Sequence, residues 1–439
     1  MKNRQKFGLF TSICMIVGIV IGSGLFFKSD NVLIYTNGNI ALGVLVFILA
    51  AMAIIFGSLT VAELVIRTDK TGGIIAYAEA YLGKRMACVF GWFQNFVYFP
   101  TIICVVSWVV GIYFCILFGI NATTELQIII GFLTYIILYI INYTSTKIAG
   151  YFQNIATIIK LIPIFLSIIV GILFGDPDFS VVFSNTSSNA YWIAAVAPIA
   201  FSYDGWIIAT GISHEIKNSH RNLQLALIIS PIFILFTYVA YFIGINLLIG
   251  PEQIMLLGDS YVDVIANYLF GSLGSKIFLT FIIISIVGAI NGIILGSSRG
   301  LYALGVNKMI PKSKLLSTIN EKWGTPTKAI ICSFIITTLW MIIHYLTIKF
   351  NILQHSDVSE ISIATMYVLY IILYIQVIKL KRTKEIKSII KGYIIPILAI
   401  IGSLFIFFGS MQNPMFWIYG AFSMLIIFIA YFYARKNIV

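Results

Sequence analysis

Two ionisable side chains sit in the middle of long apolar runs. Lys160 lies in Gln153-Asn-Ile-Ala-Thr157-Ile-Ile-Lys160-Leu-Ile-Pro163, and Asp204 lies in Ala200-Phe201-Ser202-Tyr203-Asp204-Gly205-Trp206. A charge at bilayer depth costs at least about 2.5 kcal/mol and by default marks a functional position. Gln153, Thr157 and Lys160 fall at i, i+4 and i+7, one face of a helix, so the amine is expected to point into a bundle. There it can serve as a fixed internal cation, or as a group that releases and regains a proton during a cycle. Asp204 can cap the helix that resumes at Trp206, face a cationic ligand group, or titrate; its position favours capping.

A third feature is backbone rather than side chain. Gly18, Gly22, Ser23 and Gly24 fall within one apolar run, Gly18-Ile-Val-Ile-Gly22-Ser23-Gly24-Leu25-Phe26, and weaken its helix at mid-depth. Gly18 and Gly22 also have the spacing of a close helix-packing face. Asp204-Gly205 interrupts a second run. Backbone unwound inside a bilayer must line a cavity or be buried in protein. A half-helix that starts at Gly24 offers N–H donors and a positive end, which suit a carboxylate. A half-helix that ends near Phe201 and Ser202 offers free carbonyls, which suit an ammonium. A ligand carrying both groups on neighbouring atoms fits both ends, and that is the backbone of an α-amino acid.

The elements holding these groups follow from composition. The chain has 439 residues, of which 60% are hydrophobic and only 10% charged, against about 25% charged in soluble domains. Mean hydropathy is +1.00. A cytosolic enzyme, a secreted disulfide scaffold and a disordered chain are thereby excluded. Spanning helices need about 20 apolar residues. Twelve segments qualify, near 8–30, 40–66, 86–118, 125–143, 149–175, 190–213, 224–250, 273–303, 328–348, 359–380, 393–410 and 414–433. The expected fold is an all-α polytopic membrane protein forming one domain over residues 1–439. Interruptions in the first and sixth segments suggest two five-helix repeats, roughly 7–175 and 190–380, with two extra helices over roughly 393–433. Five is odd, so the second repeat must be inverted.

The net charge of +12 falls in short clusters between apolar runs, not on a basic face, so no nucleic-acid partner is expected. Connections 31–39, 119–124 and 176–189 carry no Lys or Arg, while the N-terminus and the connections after the second, eighth and tenth segments are rich in them. The positive-inside rule then puts both termini in the cytoplasm. The first apolar run exceeds signal-peptide length and lacks a cleavage site, so it is expected to remain. Cys14, Cys88, Cys104, Cys115 and Cys332 read as small buried residues, the four histidines form no ligand set, and no cofactor or metal is expected. In the eighth segment Ser285, Gly288, Ala289, Gly292 and Gly296 make a small-residue stripe that permits close helix approach, and Ser285 could offer a hydroxyl to Lys160. Among the aromatics of the sixth segment, Phe201 is the best gate candidate.

These motifs in order resemble the amino acid–polyamine–organocation transporters, particularly bacterial permeases similar to the L-type amino acid transporters. The resemblance rests on Ile21-Gly22-Ser23-Gly24-Leu25-Phe26, Ala62-Glu63-Leu64 with Gly72-Gly73 and Tyr77, Gln153-Asn154 with Lys160, Phe201 to Trp206, Glu215-Ile216-Lys217-Asn218 with Arg221-Asn222-Leu223, Gly288 to Gly292, Ser298-Arg299, and Gly324-Thr325-Pro326. It implies a five-plus-five inverted-repeat fold with discontinuous first and sixth helices. It also implies alternating-access transport of small neutral amino acids, as exchanger or proton symporter, with a cationic amino acid or polyamine carrier as the alternative. Ser23 and Gly24 would hold the carboxylate, and the carbonyls of Val20, Phe201, Ser202 and Asp204 the amine, with Phe201 as gate. Lys160 would stand where sodium-coupled relatives bind the ion, bridging Gly18 and Ser285. Ser219 and Gln224 stand where the family often has proline. The loop 119–124 lacks the cysteine that pairs some relatives with a glycoprotein, so a stand-alone carrier in the cell membrane is expected. A membrane enzyme would need a catalytic cluster, and none is found.

Overall fold

The computed structural model describes residues 7–22, 24–68, 72–144, 146–175, 190–353, 357–413 and 415–438. Among these, helix is the only extended regular structure, with isolated bridges at Phe7–Ile216 and Asn320–Thr325. Twelve helices are long and apolar enough to cross a membrane: α1 Leu9–Phe27, α2 Ile40–Val65, α3 Lys84–Phe118, α4 Thr124–Thr144, α5 Asn154–Phe174, α6 Trp192–Gly211, α7 Ser219–Ile249, α8 Phe270–Val306, α9 Thr327–Lys349, α10 Val358–Arg382, α11 Ile390–Ser410 and α12 Phe416–Asn437. The protein is a multi-pass membrane protein.

Burial ranks the helices from centre to rim. α1 and α6 are 76% and 89% buried, whereas α4 and α12 are 22% and 17% buried. The two most interrupted segments are therefore the ones shielded from lipid, where backbone groups released by unwinding can find protein partners. α1 packs on α5, α7 and α8, and the first half of α6 packs on α2, α10 and α11. The exposed faces of the rim helices are apolar: Leu133, Ile137 and Ile140 on α4, and Ile169, Ile172 and Leu173 on α5. Such faces suit hydrocarbon.

Both central helices break where glycine and aspartate stand. In α1 regular helix ends at Val20, Ile21 is non-helical, and helix resumes over Gly24–Phe27. In α6 an α-helical stretch, Val196–Ser202, gives way to a turn and then to a 3₁₀ stretch, Trp206–Glu215. Gly205 has φ +97°, and a Cβ there would lie 2.6 Å from Ile19 Cγ2, so both conformation and space call for glycine. α3 carries a π-helical turn at Gln94–Tyr98 just before Pro100. Proline cannot donate to the carbonyl four residues back; that carbonyl, of Phe96, instead accepts from Trp340 Nε1 of α9 at 2.7 Å. The irregular turn directs Tyr98 toward α6.

Candidate functional site

The two breaks meet. A Cβ on Gly24 would lie 2.5 Å from Ser202 Cα, a backbone-to-backbone approach that leaves no room for any side chain. Beside this contact is a narrow cavity with room for little more than water. α1 contributes Ile19, Val20, Gly22 and Gly24, and α6 contributes Phe201, Asp204, Gly205 and Ile208. Ile102 and Val106 of α3 and Ala289 and Ile293 of α8 complete the lining. Apart from Asp204 the side-chain walls are apolar.

The carbonyls freed at the end of the first half of α1 are taken by buried donors. Lys160 Nζ of α5 donates to Gly18 O at 2.5 Å and to Ile21 O at 2.6 Å. Thr157 Oγ1, one turn earlier on the same face, donates to Cys14 O at 3.1 Å. Lys160 and Thr157 thus both reach α1 backbone, while the side chain of Gln153 lies outside the described residues. The expected bridge from Lys160 to Ser285 is not made. Ser285 Oγ is buried with no hydrogen-bond partner among the described residues, because α8 turns its small stripe to helix contacts instead. A Cβ on Gly288 would lie 2.7 Å from Ala156 of α5, and one on Gly296 2.6 Å from Ile208 of α6.

Tyr238 of α7 is a site residue that sequence reasoning missed. Its hydroxyl lies 2.9 Å from Val20 O and 2.8 Å from Ser202 O, so one side chain spans both interrupted helices. A hydroxyl has one proton, so it donates to one carbonyl at a time, and each carbonyl keeps a second lone pair. Asp204 Oδ2 accepts from Tyr98 Oη at 2.5 Å. The segment after Asp204 resumes as 3₁₀ rather than α-helix. Phe201 is 6% exposed and walls the cavity. Ser23, expected to meet a carboxylate, lies outside the described residues.

Lys160 and Asp204 are not the only charges taken out of water. Lys28, Asp357 and Glu360 are 2%, 3% and 4% exposed. All three fall at or beside the ends of the apolar runs near 8–30 and 359–380. A second small cavity shares Ile208 with the first; its lining includes Gly72, Gly73, Thr210, Arg299 and Gly300. The described residues hold no group of three or more potential metal-binding side chains.

The sequence resembles known proteins along most of its length. A family model for amino acid permeases matches residues 7–433. The chain belongs to the amino acid permease family. It is 30% identical to the serine/threonine exchanger SteT of Bacillus subtilis over 407 residues, which is 92% of this chain and 90% of that protein. The human b(0,+)-type amino acid transporter 1 is 28% identical over 77% of this chain and 70% of its own length. The human cystine/glutamate transporter is 25% identical over 75% of this chain and 66% of its own length. This permease is an amino acid transporter, not an enzyme.

Proposed function

We propose that the chain carries small neutral L-amino acids by alternating access, holding the substrate backbone between the two helix breaks. Ser23 and Gly24, at the start of the outer half of α1, take the carboxylate. The carbonyls of Val20, Phe201, Ser202 and Asp204 take the amine, and the Tyr238 hydroxyl rotates aside or stays as a neighbour on Val20 and Ser202. Phe201 closes over the bound ligand. The observation that carries the reading is the meeting of opposite helix ends at one cavity, since Gly24 and Ser202 leave no space for a side chain between them. Opposite partial charges at that point match a zwitterion.

Preference for neutral substrates is supported by the walls. Ile102, Val106, Ile208 and Ile293 surround the space left for a side chain. The carboxylate of Asp204 is engaged by Tyr98, and a cationic side chain would have to compete with that hydrogen bond. A cationic amino acid or polyamine carrier, with Asp204 as counter-charge, is the second reading. Exchange follows if the empty carrier reorients slowly, and proton symport if Lys160 titrates during the cycle. We place both termini in the cytoplasm of a cell-membrane carrier that works without a glycoprotein subunit. Its single domain consists of inverted repeats over roughly 7–175 and 190–380 with two added helices.

Counterflow of labelled serine or alanine into proteoliposomes tests this. Competition by alanine, serine and threonine, with none by arginine or putrescine, is the expected pattern. Stronger competition by arginine would favour the second reading, and Asp204→Asn should then abolish it.

A further inference from the structure

α12 is the least buried of the twelve spans, and its two sides differ. The small residues Ser423, Ala430 and Ala434 are buried against the bundle. On the other side Leu425, Phe428 and Phe432, followed by Arg435 and Lys436, recur at helical spacing, and all are exposed. From Leu425 to Arg435 the helix rises about 15 Å, half of a hydrocarbon core of about 30 Å. The apolar stripe therefore has the depth of one leaflet and ends in cations. Two further elements bring cations to the same place. The Cys88 thiol of α3 lies 3.2 Å from Met309 O and 3.7 Å from Ala430 O, and Trp92 Nε1 donates to Met309 O at 2.8 Å. The Trp92 and Tyr433 rings are in contact, with centroids 5.3 Å apart. α3 and α12 run antiparallel, so one turn before Cys88, at Arg85, α3 is level with the last turn of α12. Lys308 adjoins Met309 in the segment leaving α8.

Arg85, Lys308, Arg435 and Lys436 are exposed and have no ion-pair partner among the described residues. Basic residues flank many spans on this side; these differ in being gathered by three elements at the foot of one apolar stripe. Cations so gathered repel one another unless an anion lies among them, and arginine meets phosphate oxygens two at a time. We infer that Arg85, Lys308, Arg435 and Lys436 seat the headgroup phosphate of an anionic phospholipid whose acyl chains lie along Leu425, Phe428 and Phe432. The stripe of leaflet depth favours a lipid over a free phosphate. Charge favours it over a second copy of the chain, since a two-fold contact through this face would set the cations against their own counterparts. The seat is separate from the substrate cavity. It joins the ends of α3 and α8, which also line that cavity, to α12, which does not.

Native mass spectrometry of the full chain in detergent, titrated with dioleoylphosphatidylglycerol or dioleoylphosphatidylcholine, tests the seat. The first phosphatidylglycerol is expected to bind at least tenfold tighter than phosphatidylcholine. Each basic side chain at an anionic surface strengthens attachment about fivefold, so Arg435→Gln with Lys436→Gln should weaken that lipid at least tenfold. Arg85→Gln with Lys308→Gln should do the same from the other two elements, and carries the comparison alone if the first pair fails to yield folded carrier. Phe432→Gln, in the acyl bed, should weaken binding at least threefold. Lys217→Gln with Arg221→Gln is the control: it removes two exposed charges at the start of α7, which packs chiefly on α1, α2 and α5, and should leave affinity within twofold. Excess glycerol phosphate should displace nothing. Equal affinity for the two lipids, a loss under twofold in both patch variants, or an equal loss in the control overturns the seat. Displacement by glycerol phosphate overturns it in favour of a free-anion site, and dimers in place of lipid adducts overturn it in favour of a second copy.

Discussion

Replacing Gly24 by alanine tests how the two interrupted helices meet. The added methyl would lie 2.5 Å from Ser202 Cα, 2.8 Å from Ser202 Oγ and 2.9 Å from Ser202 Cβ. The first of these is backbone, so no rotamer change relieves the clash; the outer half of α1 must move away from α6. Overpacking of this kind costs about 1–3 kcal/mol. If the strain falls on the substrate-bound state, affinity drops about 5- to 150-fold. The apparent KM for serine counterflow should rise by that factor, and Gly24→Leu should abolish binding. Gly420→Ala on α12 is the control, because a Cβ there meets nothing within 4 Å. A Gly24→Ala carrier with KM within twofold of wild type would refute the carboxylate assignment.

Three further outcomes follow. Lys160→Met strips the donor from Gly18 O and Ile21 O; each orphaned carbonyl costs about 1–3 kcal/mol, so counterflow should fall at least tenfold with a lower Tm, and undiminished uptake with an unaltered pH profile would remove Lys160 from the mechanism. Tyr238→Phe loses a net hydrogen bond of about 0.5–1.5 kcal/mol, so the KM should rise by about tenfold or less, and no change would mean that its link between α1 and α6 is dispensable. Asp259, half-buried between α7 and α8, is pushed up to about 8 by burial and then by the Asp30 carboxylate. Its folded value exceeds the unfolded one of about 3.9, so the stability it confers is full below about pH 4 and is lost as pH rises through about 8; Tm in detergent should fall over that range, and Asp259→Asn should flatten the decline.

The spans were legible because apolar runs of membrane length leave few other solutions, and α1 and α6 betrayed their breaks through Gly22, Gly24 and Asp204-Gly205. The amine of Lys160 could be aimed at a neighbour from its helical face, but its reach could not: Ser285 shares the small stripe of α8 yet has no hydrogen-bond partner among the described residues. Tyr238 is one of 24 tyrosines and carries no local mark; only the crossing of α7 over both breaks gives it a role. Lys28 and Asp357 stand 329 positions apart. Their pairing is a product of tertiary packing, and each alone reads as a charge at the edge of a span.

The 3₁₀ stretch at the end of α6 is long for its type, since such runs seldom exceed three or four residues. Ten residues, Trp206–Glu215, adopt it. At about 2.0 Å of rise per residue they extend about 20 Å, whereas the same residues as α-helix would extend about 15 Å. Rewinding would shorten the segment by about 5 Å and turn Ile208, the shared wall between the two cavities, out of its present bearing. A length change of that size would have to be taken up by α1, α7 and α8, the helices on which the stretch packs.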